Sequence, residues 1–324
     1  MKKDIRWGII GPGKIADKFA AALQYTEGSV VYAVAARDKE RALAFATKYN
    51  AAVSYDNYEA LAADTNVDII YIATPHAFHC EHTLLCLRHQ KAVLCEKPLS
   101  LNYQQSQQMV QVAQQQDVFL MEGMWTRFMP AINKVKELVD NGEIGSIQHI
   151  AADFGFNAPY DPQSRLYNLG LGGGSLLDVG IYPVFLVTFL LGQPTGIQST
   201  SKLAPSGADL YCNVLLQYAG GQTANIFSAI NLQTAITATI TGTKGRIHIH
   251  SPWFKAHQLT IELNNGEART LSFPLELNGF EYEIREVTDC MNKGFRECPA
   301  MPLDFSLDMS RIMDTIKEQA GIVY

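Results

Sequence analysis

The stretch "WGIIGPGKIA", residues 7–16, decides the first half of the fold. A small apolar run enters Gly11-x-Gly13-x-x-Ala16, and a helical pattern then covers Ile15 to Leu23. Gly11 permits a tight turn, Gly13 lets a pyrophosphate approach the backbone, and Ala16 keeps the helix close to the strand. The free N–H groups at the helix start (Lys14, Ile15 and Ala16) then face the phosphates. Glycines after a strand often do no more than turn the chain. Their place here, at the head of a strand–helix series, favours a dinucleotide.

Outward from that motif the pattern repeats. Ser29–Ala36 reads as a strand, Lys39–Tyr49 as a helix, and Val53-Ser54 as a short extended piece before "NYEALAAD". Then come "VDIIYIAT", "HCEHTLLCLRH", "AVLCE", a glutamine-rich helix over 103–116, and "VFLME". Near-continuous apolar strands joined by amphipathic helices predict a doubly wound parallel sheet covered on both faces, an α/β Rossmann domain over 1–123. After Met121 the rhythm changes to a helix from Pro130 to about Gly142, then alternating strands with turns at Gly220-Gly221 and Asn265-Gly266. Two further helices, about 282–294 and 306–319, close the chain. Residues 124–324 therefore read as an α+β domain with a large, mostly antiparallel open sheet.

The end of the second strand selects the nucleotide. "AVAARD" offers Ala35, Ala36 and Arg37 where an NAD site usually places an acid. A guanidinium suits a 2′-phosphate, which predicts NADP, with NAD possible. The plainer reading makes Arg37 an exposed flank of the next helix and Asp38 its cap.

Ligands of such sheets bind beyond the carboxyl ends of the strands. Thr74-Pro75 ends one strand there, and Glu96-Lys97-Pro98 in "KAVLCEKPLS" ends the next. Pro98 restricts Lys97 to an extended backbone. A lysine held beside a nicotinamide can fix substrate and favour the anionic form of a neighbouring acid; a surface lysine at a strand end is the alternative. In "NLGLGGGSLLDVGIYPVFLV", residues 168–187, three glycines precede Asp178 and Tyr182, spaced i and i+4 for one helical face. The glycines are read as letting backbone approach a ligand, and the Asp–Tyr pair with Lys97 as a proton-transfer set. Tyrosine is a poor base near neutrality unless positive charge lowers its pKa. A core tyrosine bonded to Asp178 is the competing reading.

The bulk properties exclude several classes. Hydrophobic residues make up 47%, charged residues 18%, and the formal charge is −6, which disfavours a nucleic-acid binder. The N-terminal apolar run is too short for a secretory leader, and the apolar stretch 181–192 is too short for a membrane span. The six cysteines form no C-x-x-C pair and read as reduced, mostly buried thiols of a cytoplasmic protein, with no metal expected. His76, His79 and His82 cluster after Thr74-Pro75 and read as a helix start on the cofactor side, His79 either near the nicotinamide or as a packing cap. His248 and His250 share one face of a strand.

Taken together, Gly11-x-Gly13-x-x-Ala16, Glu96-Lys97-Pro98 and "GGGSLLDVGIY" resemble the glucose–fructose oxidoreductase / inositol dehydrogenase / MocA family. "AVAARD", "AVLCEKP", "FLMEGMWTRFMP", "LLDVGIYP" and "TGTKG" resemble its dihydrodiol dehydrogenase and NADP-dependent D-xylose dehydrogenase subgroup. The resemblance implies hydride transfer between NAD(P) and a sugar, cyclitol or vicinal diol. It implies Lys97 as catalytic or substrate-orienting, Asp178 as its helix partner, and Tyr182 as the acid–base where the wider family often has His. It also implies a substrate pocket near Trp125, Arg127 and Phe154, with a cofactor or structural role as the alternative for Arg127, and a homodimer through the second sheet. The family further includes dinucleotide-binding regulators and glycoside-cleaving enzymes with tightly bound NAD; intact Lys97, Asp178 and Tyr182 argue against a regulator.

Overall fold

A computed structural model describes residues 4–324. The chain divides into two compact units, 1–125 with 276–307, and 126–275 with 308–324.

In the first unit the strands are β1 (Ile5–Ile10), β2 (Ser29–Ala35), β3 (Val53–Tyr55), β4 (Ile69–Ile72), β5 (Ala92–Glu96) and β6 (Leu120–Gly123). They form one parallel sheet in the order β3-β2-β1-β4-β5-β6. The helices α1 (Lys14–Tyr25), α2 (Lys39–Lys48), α3 (Tyr58–Ala63), α4 (His79–Arg88) and α5 (Tyr103–Gln116) alternate with them. Strands β4 and β5 are buried at every position, as strands covered on both faces must be. The strand order reverses between β1 and β4, so the crevice for a ligand opens beyond Ile10 and Ile72.

In the second unit, α6 (Pro130–Asp140) and α7 (Ile181–Leu191) accompany eight strands. These are β7 (Ile147–Gly155), β8 (Gly196–Leu203), β9 (Asp209–Gln217), β10 (Thr223–Ala229), β11 (Ala238–Gly242), β12 (Gly245–Ile249), β13 (Gln258–Leu263) and β14 (Ala268–Ser272). Their order is β14-β13-β12-β11-β7-β10-β9-β8, and every pair is antiparallel except β7 with β10. The expected hairpin turns at Gly220-Gly221 and Asn265-Gly266 join β9 to β10 and β13 to β14.

Two expectations change. The division at 123 becomes 125, and residues 276–307 return to the first unit with α8 (Phe280–Asn292) and the first turn of α9 (Leu303–Ala320). Aromatic packing draws α8 back. Phe280 meets Phe19 of α1 edge-on at 5.8 Å and stacks on Trp125 at 4.9 Å, while Thr288 Oγ1 bonds Ser29 Oγ at 2.8 Å. Second, the apolar run is longer than 181–192. Leu169–Leu191, 23 residues of helical turns broken at the glycine triplet, is apolar and long enough to cross a membrane, and 83% of its most apolar window is buried. Val184, Phe185, Leu186 and Val187 are fully inside, which marks a core helix.

Candidate active site

The turn after β1 shows why each glycine is there. Gly11 has φ +83°, and a Cβ on it would meet Thr74 Cγ2 at 2.9 Å and the Ala73 backbone at 3.0 Å. Only glycine fits between β1 and β4 at this point. Gly13 differs: a Cβ there would meet nothing nearer than Arg41 Nη2 at 3.8 Å and Gly11 O at 3.9 Å. The protein's own packing does not demand that glycine, and the space in front of it suits the close approach of a pyrophosphate. Helix α1 has no side-chain N-cap, so Lys14, Ile15 and Ala16 begin it with their N–H groups uncapped by any side chain. These features fit a dinucleotide.

At the end of β2, Arg37 is exposed. The Asp38 carboxylate accepts from Glu40 N at 2.9 Å and Arg41 N at 3.1 Å, and so caps α2. Arg41, absent from the sequence reading, donates twice to Pro12 O at 3.1 and 2.9 Å and sets a second guanidinium on the phosphate loop. Its spacing of four from Arg37 is the signal that could have found it.

Beyond β4 and β5 the rim is tied together by histidines. Thr74 is buried, and its hydroxyl meets His82 Nδ1 at 3.0 Å. Pro75 is half-buried. His79 is fully buried, with Nδ1 2.7 Å from Pro98 O and Nε2 2.9 Å from Thr74 O. Burial pushes its imidazole down to about 4, so the neutral ring bridges the two rim turns.

Glu96, expected to touch cofactor, also turns inward. Its carboxylate accepts from Tyr71 Oη at 2.5 Å and from Lys97 N at 3.2 Å. This leaves half-buried Lys97 as the polar side chain of the motif at the rim, followed by a cis peptide to Pro98. Three more buried acids lie in the same unit; Glu281 accepts from the backbone N–H groups of Leu277, Asn278 and Gly279, and the other two were not legible in the sequence. Glu122 accepts from Leu99 N at 2.9 Å, and burial pushes it up to about 7. Glu283 of α8 is fully buried, has no hydrogen-bond partner on either oxygen, and is held far above the carboxylate range by burial, with Glu96 and Glu122 adding to it.

The sign of the Glu122 effect follows from its raised value. Between its ordinary 4.5 and about 7 the folded chain keeps a proton that the unfolded chain has released, so stability falls as pH rises through that window. The loss is roughly 3 kcal/mol. Glu122→Gln keeps the acceptor for Leu99 N and removes the titration. Denaturant melts at about pH 5 and about pH 8 should show the variant gaining on the parent by that amount; a difference that does not vary with pH would mean the acid is ionised in the fold.

In the second unit the structure reassigns the glycine triplet. A Cβ on Gly173 would lie 2.8 Å from Arg165 O and Leu166 O, and one on Gly174 would lie 2.1 Å from Asp209 Oδ1. The triplet therefore admits protein backbone and Asp209, in place of the ligand expected there. Asp209 is fully buried, accepts from Ser175 Oγ at 2.6 Å and Leu176 N at 2.8 Å, and burial pushes it up to about 6. It anchors the start of the helix. Residues Leu176–Gly180 then form one π turn before α7. A π turn alters the helical spacing that placed Asp178 directly below Tyr182, and such turns recur at functional sites.

Asp178 is buried and accepts from Arg165 Nη1 at 2.8 Å, a partner the sequence did not suggest. Tyr182 is 7% exposed, its ring 5.4 Å from Phe154 and 5.3 Å from Phe254. Phe154 and Phe254 stack at 4.3 Å, making an aromatic floor of which Phe254 is new. Thr126 Oγ1 holds it through Phe254 O at 2.9 Å. Of the other expected pocket residues, Trp125 stacks on Phe280 in the first unit, and Arg127 donates to Asn133 Oδ1 at 2.5 Å with its guanidinium 4.6 Å from the Phe189 ring.

Comparison with known proteins agrees with this geometry. Residues 5–124 match the oxidoreductase family with an NAD-binding Rossmann fold, and residues 132–248 match the GFO/IDH/MocA C-terminal domain. The chain belongs to the GFO/IDH/MocA family. Within that family it is 37% identical to trans-1,2-dihydrobenzene-1,2-diol dehydrogenase of Mus musculus, over 99% of this chain and 98% of the relative. The Homo sapiens protein of the same name is 35% identical with the same coverage. Among solved structures of the fold, a 3-ketoreductase from Actinomadura kijaniata in complex with NADP and TDP-benzene superposes with TM-score 0.89, 27% identity, and 98% of each chain covered. This GFO/IDH/MocA chain is thus an NAD(P)-dependent oxidoreductase.

Proposed function

We propose that the chain is an NADP-dependent dehydrogenase that moves a hydride between the nicotinamide and a sugar, cyclitol or vicinal-diol carbinol. The observation that carries the cofactor choice is the end of β2, where exposed Arg37 stands beside an Asp38 already engaged as a helix cap. The dihydrodiol dehydrogenases it matches over its whole length support the substrate class.

Bound NADP supplies the hydride acceptor. The uncapped start of α1 and the space before Gly13 receive the pyrophosphate, and Arg37 receives the 2′-phosphate. During alcohol oxidation Tyr182 takes the hydroxyl proton, its ring steadied by Phe154 and Phe254. Lys97 supplies the positive charge that favours the phenolate and orients the hydroxyl. Asp178, held by Arg165, positions the helix turn that carries Tyr182. Reduction of a carbonyl runs the same steps backwards. A homodimer through the eight-stranded sheet is the proposed assembly, and sedimentation of the purified protein tests it.

Arg37→Ala tests the cofactor assignment. One charge-assisted contact contributes about 1.5–3 kcal/mol, so NADP should bind roughly 10- to 100-fold more weakly while NAD is unaffected. Fluorescence titration with both dinucleotides reads this; equal weakening of both would remove the 2′-phosphate from Arg37. A carbinol deuterated at carbon tests the chemistry, because the label must appear in the reduced nicotinamide.

A further inference from the structure

Glu286 and Cys290 lie one turn apart on the same face of α8, and Cys298 lies in the connection to α9. One ligating atom from each falls within 4.8 Å of the other two. Cys298 Sγ is 3.8 Å from Glu286 Oε1. Both sulfurs are buried, and Glu286 is half-buried, so the carboxylate faces the way in.

The connection that carries Cys298 is fixed. Gly294, at φ +70°, ends α8, and Phe295 N returns to Cys290 O at 3.0 Å. Arg296 O accepts from Leu120 N of β6 at 3.1 Å, and Glu297 accepts from Leu303 N at 2.8 Å. Cys298 itself pairs with Met301. The sulfur is therefore held opposite α8 by the backbone on both sides of it.

We propose that Glu286, Cys290 and Cys298 form a binding site for a thiophilic divalent metal, zinc in its chemistry. Two thiolates and a carboxylate suit zinc over magnesium or calcium. Zinc–sulfur bonds of about 2.3 Å in a tetrahedron place two sulfurs about 3.8 Å apart. The three atoms need close by less than about 1 Å to reach that geometry. A water on the Glu286 side completes the fourth position.

Metal entry exchanges two thiol protons for metal–sulfur bonds: M²⁺ + 2 RSH + RCOO⁻ gives M(RS)₂(OOCR)⁻ + 2 H⁺. No oxidation takes place. The metal would tie α8 to the segment paired with the edge of the parallel sheet.

The test uses the full chain, reduced and handled without oxygen, with Co²⁺ and Zn²⁺ as probes. Expected are one metal per chain, a thiolate-to-cobalt charge-transfer band, and a higher Tm with zinc. Cys298→Ser should remove the band. Glu286→Gln, on a half-buried position that folds readily, should weaken binding about tenfold or more while the band persists. A reduced chain that takes up no stoichiometric metal, or a band unchanged in both Cys290→Ser and Cys298→Ser, would overturn the site. So would a 290–298 disulfide as the stable form with metal present.

Discussion

Tyr182→Phe is expected to lower kcat for carbinol oxidation by about 10²- to 10⁴-fold, the range that a positioned acid–base contributes. The change removes one oxygen and leaves the ring against Phe154 and Phe254, where it is 7% exposed. Fold and NADP affinity should therefore hold while turnover falls. Steady-state kinetics beside a cofactor titration separates the two. Unchanged kcat would assign the proton to another group, and lost NADP binding would make Tyr182 a structural residue.

Lys97→Met should reduce kcat/KM by about 10²- to 10³-fold, as loss of one preorganised donor does elsewhere. Methionine keeps the length and apolar stem of lysine and discards its charge. The backbone that sets this residue does not depend on the side chain: Lys97 N donates to Glu96, and Glu96 accepts from Tyr71. The informative readout is the pH profile. Without the ammonium a phenol ionises less readily, so the alkaline rise of kcat/KM should move to higher pH. A uniform loss with an unmoved profile would leave Lys97 as a binding group only.

The first unit was legible because its strands and helices carry different periods and its glycines stand at the strand–helix turn. Gly11 in particular could be read directly, since its place between β1 and β4 excludes any Cβ. The return of α8 was not legible. Its apolar face announces burial, yet Phe280 carries no mark of which core it enters, and Trp125 reads as a sugar platform until its partner is known. Charged residues were illegible for the opposite reason. Glu122, Glu283 and Asp209 carry no mark in the sequence of an interior position, and the fold buries all three along with Glu96. The triplet at 172–174 shows the same limit, because a glycine that admits protein backbone looks in sequence like one that admits a ligand.

The measurement that bears most directly on the whole account is NADP⁺ reduction by the purified protein against trans-dihydrodiols, aldoses and cyclitols, with NAD⁺ in parallel and Tyr182→Phe as control. The account predicts turnover with one of these groups, preference for NADP⁺, and near-silence from the variant. Bound cofactor with no net reduction across the panel would contradict it.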